Sequence, residues 1–226
     1  MILSELIRKF RVAAFDMEQP YLFADEDITD WLNDAVKEAA IRGRLIHESS
    51  NPDVCVINIL PDIDTYPLHE SLYEIEHARH TYEVLHARWT NWDVVYQVSQ
   101  EEVLDGLPYL NKNNGAPAYL VQHDTHIQIY PMPERAGVIK LSGYRTPLAP
   151  MALDTDRPEI NTIHHEYLIH WALHKGFNRP DSEVFDPSKA DREEQEFTKY
   201  FGERPDSDLR RITRQDVPHV VAPFWV

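Results

Sequence analysis

The hydrophobic period of this chain changes twice, from about 3.6 residues to 2 and back to about 3.6. A helix stripe recurs every three to four residues, whereas a strand face recurs every second one, so the two patterns cannot exchange. The order helical, then β, then helical constrains the fold more than any other feature. At the start, Leu3, Leu6, Ile7, Phe10 and Ala14 share one helical face, and Pro20 ends that run. Asp25 is placed to cap a second helix, with Glu26 and Asp27 complementing its positive end. Its stripe reads Ile28, Trp31, Leu32, Ala35, Ala39, Gly43 and Ile46, and the pair reads as a helical hairpin.

From Asn51-Pro52 the alternation is that of strands. Strands are predicted over 54–60, 65–68, 72–85, 94–98, 118–121, 126–130 and 138–144, the second being an edge because Pro67 has no N–H for a ladder. Ser99 and Glu102 form a capping box for a short helix that stops by Pro108, and Asn113-Asn114-Gly115 reads as a loop tip. The helical period returns with Ile160, Ile163, Tyr167, Leu168, Trp171 and Ala172, capped by Asn161 or Thr162 and ended by Arg179-Pro180. Asp186-Pro187 opens a last helix carrying Ala190, Phe197, Tyr200 and Phe201, with Gly202 where a terminal glycine belongs. Beyond Glu203 the chain is charged, then extended and spaced by Pro205, Pro218 and Pro223.

Composition excludes several classes. The net charge is −16 over 226 residues, which argues against a generic grip on nucleic acid or on anionic lipid. A single cysteine, Cys55, cannot form an internal disulfide, and its place in an apolar strand reads as core. No apolar run approaches the length of a membrane span, and Glu5, Arg8, Lys9 and Arg11 interrupt any signal-peptide core. These features predict an acidic, soluble protein made in the cytoplasm.

Chemistry is sparse. There is no phosphate-binding glycine loop and no nucleophile elbow, and nothing calls for a cofactor. His165-Glu166 followed by His170 resembles a zincin motif, but the second histidine comes one residue late, about 140° around the helix from the first. Glu166, His170 and His174, each four apart, are the better line for a divalent metal. The plainer reading makes them the polar flank of a helix whose other face is core. Trp31 and Trp171 lie on core stripes, while Trp89 and Trp92 flank a loop and stay ambiguous. The last residues are strongly apolar, with Val220, Val221, Phe224 and Trp225 as candidate anchors of a partner-docking tail, the alternative being a tail that folds back on its own domain. Residues 16–38 hold eight acids against Lys37 alone. Within this segment Asp25, Glu26, Asp27, Asp30 and Asp34 are candidates for a channel wall or a subunit seam, against a merely solvated face.

Several phrases in order carry a resemblance. They are Gln19-Pro20-Tyr21-Leu22-Phe23-Ala24-Asp25 leading into Trp31-Leu32-Asn33-Asp34-Ala35, then Asp64-Thr65-Tyr66-Pro67-Leu68, Gly115-Ala116-Pro117-Ala118-Tyr119, Ile127-Gln128-Ile129-Tyr130-Pro131-Met132-Pro133 and Tyr144-Arg145-Thr146-Pro147-Leu148. The last are His165-Glu166-Tyr167-Leu168-Ile169-His170-Trp171 and Asp186-Pro187-Ser188-Lys189-Ala190. Over residues 1–202 the chain resembles the head–tail connector proteins of tailed bacteriophages, specifically the portal adaptor. The resemblance implies an α+β fold in which residues 1–50 and 146–202 form a four-helix bundle from the N- and C-terminal helix pairs. It implies an inserted β-rich domain over 51–145, with 203–226 left as an extended arm. It also implies a dodecameric ring without enzymatic activity, joining the portal protein to tail, nozzle or tail-fibre proteins in the virion neck. Double-stranded DNA would pass through its lumen without specific binding, and no membrane is involved. Acidic walls suit such a lumen, since like charge keeps the duplex from sticking. The competing readings are a metal-dependent hydrolase using Glu166, His170 and His174, another neck or head-completion protein, and a monomeric binding module.

Overall fold

A computed structural model describes residues 1–82, 92–104, 114–180 and 184–205. In chain order the elements are α1 (Leu3–Ala14), α2 (Asp25–Gly43), β1 (His47–Glu48), α3 (Pro52–Cys55), β2 (Val56–Ile59), β3 (Thr65–Pro67), β4 (Leu72–Thr81) and β5 (Asp93–Gln97). There follow α4 (Gln100–Leu104), β6 (Tyr119–Gln122), β7 (His126–Tyr130), β8 (Gly137–Arg145), a 3-10 turn (Thr162–Tyr167), α5 (Leu168–Phe177) and α6 (Pro187–Phe201). These residues fall into two compact units. The first holds Met1–Ser50, Glu70–Glu74 and Gly143–Arg204, and the second the described residues of Asn51–His69 and Ile75–Ser142.

In the first unit, one apolar core is shared by α1, α2, α5 and α6. Phe10 packs its ring on Phe23 and Trp31 at 5.4 and 5.9 Å between centroids, and Trp171, Phe197 and Phe201 continue the aromatic run. The α+β class agrees with the sequence reading. The four-helix bundle does not, and it is corrected here. Bundle helices stand at corners and turn an outer face to water. Here α1, α2 and α6 all pack on α5, and no residue of α5 is exposed. The cause lies in its composition. Leu168, Ile169, Ala172, Leu173, Gly176 and Phe177 are buried, and His170, Trp171, His174 and Lys175 between them are half-buried. The expectation of one apolar face per helix therefore fails at α5, which forms the centre of the unit. The unit also includes β1, the start of β4 and the end of β8, so strands of the eight-stranded sheet enter a part expected to be purely helical.

Asp186 caps α6 by accepting from the Lys189 N–H at 3.1 Å, with Pro187 in the first turn and Gly202 ending the helix at φ +90°. Asn161 caps the 3-10 turn by accepting from the Ile163 N–H at 3.1 Å. The single helix expected from Ile160 is instead this turn followed by α5. Asp25 is not the cap of α2: Ala24 holds that position and Asp25 sits in the first turn. Trp31 and Trp171 are half-buried at the margin of the core rather than inside it.

Strand order is β1-β8-β4-β5-β6-β7-β3, with β2 also on β8. β1 and β2 pair with β8, β3 with β7, β4 with β5 and β6 with β7 in antiparallel fashion, whereas β5 and β6 run parallel. Alternation holds along the strands: Ile127 and Ile129 are buried in β7, Ile139 and Leu141 in β8, and Val95 in β5. β3, with Pro67, lies at one end of the order, as an edge strand should. One strand begins later than predicted. Asn51 accepts from the Asp53 N–H and Pro52 starts a helical turn, so residues 52–55 are α3 and pairing begins at Val56. Cys55 is buried in that turn. The capping box is present, with reciprocal bonds of 2.7 and 3.2 Å between Ser99 and Glu102. Trp89, Asn113, Pro108, the predicted strand beyond Tyr82 and the arm beyond Pro205 lie outside the described residues.

Candidate docking surface

Sequence reasoning proposed three groups, and their placement differs. The metal line is dispersed. Glu166 falls in the 3-10 turn, whereas His170 and His174 lie in α5, so the helical spacing that would align the three is broken. Glu166 is exposed and pairs with Lys9 at 2.7 Å, and that ammonium holds its carboxyl below the ordinary value. His170 meets Glu193 at 2.7 Å, and the His174 ring meets the Ala190 carbonyl oxygen at 3.0 Å. Among the described residues no three His, Cys, Asp or Glu side chains form a metal-binding group.

The acids of residues 16–38 are largely paired. Asp25 binds Arg11 at 2.6 Å, Asp27 binds Arg179 at 2.7 Å, Asp34 lies 3.6 Å from Lys175, and Glu38 binds Arg42 at 2.8 Å. Glu18, Glu26 and Asp30 are exposed and have no ion pair among the described residues. The segment is thus far less negative than its composition suggests. The tail anchors Val220, Val221, Phe224 and Trp225 lie outside the described residues.

The most organised surface feature was not foreseen. It is the connection between α1 and α2. Phe15 ends α1 with φ 59° in the left-handed region, where a non-glycine residue costs about 1–2 kcal/mol. The next residue, Asp16, turns inward and is buried. Its carboxylate accepts from Arg11 at 2.5 Å, from the Leu22 N–H at 2.8 Å and from the Phe23 N–H at 3.3 Å. Arg11, also buried, donates to the Phe23 carbonyl and to Asp25 as well, and its guanidinium sits 3.8 Å over the Tyr21 ring. Two buried charges thereby hold both ends of the connection. What they hold up is apolar: Phe15 is 90% exposed, and Val12, Met17, Tyr21 and Leu22 are exposed beside it. Large exposed apolar side chains on a backbone already fixed by hydrogen bonds mark a docking surface, because less backbone freedom is lost when a partner arrives. The available signal was Arg11, a basic residue next to Phe10 on the packed side of an amphipathic helix.

The SU10 adaptor protein family model matches residues 1–221. The chain belongs to that family. It is accordingly a bacteriophage adaptor, a structural protein of the virion that contacts other head and tail proteins. No curated protein matches the chain. No helix among the described residues is long and apolar enough to cross a membrane.

A structural adaptor works through surfaces rather than through a cleft of reactive groups. The arrangement here suits that work. Arg11 with Asp16 and Arg145 with Glu48 and Glu159 are tied to each other, and above the first of these pairs an apolar tip faces solvent.

Proposed function

We propose that this adaptor forms a ring beneath the portal, joins it to tail or nozzle components, and lines the channel through which DNA passes. The family match over residues 1–221 is the observation that carries the reading, and the preorganised tip between α1 and α2 supports it. The ring is dodecameric and needs no enzymatic activity or cofactor. Asp30, Glu26 and the partly neutralised Asp25, Asp27 and Asp34 border the channel or a seam between subunits. Residues 51–145 form an inserted β-rich domain, with 1–50 and 146–202 the helical part, and residues 203–226 an assembly arm. Val220, Val221, Phe224 and Trp225 anchor that arm in a neighbour or in the portal, since an extended apolar strand can add to a sheet edge or fill a groove.

The test is negative-stain imaging of the purified protein with and without its portal ring. Annular particles of uniform stoichiometry on the portal are expected. A protein that never binds the portal and stays monomeric at high concentration would refute the reading.

A further inference from the structure

The tip between α1 and α2 has a counterpart on the same chain. In β5, Val95 points into its unit and its neighbours Val94 and Tyr96 point out, Tyr96 at 63%, with exposed Trp92 just before the strand. The register sets Arg79 of β4 opposite Val94 and Tyr119 of β6 opposite Tyr96, so their side chains share that outer face. This face joins apolar and aromatic side chains to a guanidinium that has no ion pair among the described residues. The tip is of complementary character. It is apolar at Phe15, Met17 and Leu22, and its neighbours Glu18 and Glu26 are exposed carboxylates without an ion pair among the described residues.

We infer that the α1–α2 tip of one copy seats on the β5 face of a second copy, with Glu18 and Glu26 facing Arg79. Net charge supports the pairing of these two surfaces. Copies carrying −16 each repel at long range, so a stable contact needs apolar area together with a local meeting of opposite charges. The tip and the face supply that match from one sequence. Because the two surfaces differ, each copy in contact keeps one tip and one face free. The contact is therefore head-to-tail, and it closes into a ring when the rotation between copies allows. This inference rests on the adaptor reading and names the surfaces that such a ring would use.

Complementary defects test it. Phe15→Asp with Leu22→Asp disables the tip, and Val94→Asp with Tyr96→Asp disables the face. Both pairs are exposed, and circular dichroism and the denaturation midpoint establish that each variant folds. Neither variant alone should assemble, in solution or on a portal ring, under conditions in which the unaltered protein does. An equimolar mixture should give one-to-one dimers that grow no further, since only one working interface remains. Charge reversal gives a second reading: Glu18→Lys with Glu26→Lys, or Arg79→Glu alone, should each weaken self-association about tenfold, and a protein carrying all three should regain it. Assembly of either disabled variant like the unaltered protein, or a mixture that stays monomeric, overturns the assignment while leaving the adaptor reading standing. If the unaltered protein assembles neither alone nor on the portal, both fall.

Discussion

Arg11 and Asp16 meet at 2.5 Å beneath the α1–α2 connection, with side chains 8% and 1% exposed. Each charge satisfies the other and the backbone around it. The pair therefore behaves as one unit whose loss is felt mainly when a single member is removed.

Asp16→Asn should destabilise the protein by about 1–3 kcal/mol, because buried Arg11 keeps only the more exposed Asp25 as counter-charge. Arg11→Met with Asp16→Asn should cost less than the two single changes added together. A double-mutant cycle from denaturant midpoints measures this coupling, and additive losses would show that the pair does not act as a unit.

The acids of residues 16–38 show how far sequence alone could reach. Eight acids against one lysine read as a negative surface. Their partners Arg11, Arg42, Lys175 and Arg179 lie outside that stretch, and in the two last cases more than a hundred residues away, so no local count could find them. Caps and breaks were legible because they depend on neighbours in sequence: Asn161, Asp186, Gly202 and the Ser99–Glu102 box all sit where the sequence places them. The centre of the helical unit was not legible. Periodicity detects which side of a helix is apolar, but α5 carries His170, His174 and Lys175 on flanks that are half-buried only through α1, α2 and α6. Of the docking surface, sequence reasoning found the acidic neighbourhood and missed the tip, because Phe15, Met17 and Leu22 follow no period.

Stability should fall as pH drops below about 6.5. Burial lowers the pKa of His80, His164 and His165 below the ordinary histidine value of 6.5, and His80 is buried with neither ring nitrogen hydrogen-bonded among the described residues. The folded state then binds fewer protons than the unfolded one. The stabilisation is complete above the unfolded pKa and is lost as pH falls toward the depressed folded values. Denaturant midpoints between pH 7.5 and 5.5 should decline, and His80→Phe should flatten that slope. A midpoint independent of pH over this range would contradict the assignment.

Zinc should not raise the denaturation midpoint. Glu166, His170 and His174 are engaged by Lys9, Glu193 and the Ala190 carbonyl and do not converge. A thermal shift titration with zinc checks this, and saturable one-to-one stabilisation lost in His174→Ala would show that the three regroup around a metal.

Deleting residues 217–226 should leave a folded protein that forms unstable connectors, if the apolar end of the arm is an assembly element. Circular dichroism of the truncated protein and the yield of portal-bound rings after purification separate folding from assembly. Rings of normal yield would remove the arm from the assembly scheme.

Gly176→Ala sets two effects of known size against each other. Alanine in a helix interior is favoured over glycine by about 0.8–1.0 kcal/mol, so on propensity alone the change in α5 should stabilise. The space at this position opposes it. An added Cβ would lie 3.2 Å from Trp31, 3.3 Å from Phe10 and 3.4 Å from Phe23, all ring carbons. Those rings also brace one another edge to face, with Phe23 5.4 Å from Phe10 and 5.6 Å from Trp31, so none can yield alone. Overpacking of this kind costs about 1–3 kcal/mol. The net outcome should be a loss of up to about 2 kcal/mol, read as a lowered denaturation midpoint. In a Trp31→Leu background the same Gly176→Ala change should cost less, since one of the three walls is freed. A midpoint that rises in Gly176→Ala alone would mean that the rings can move apart, and that the aromatic centre of the helical unit is looser than its spacing implies.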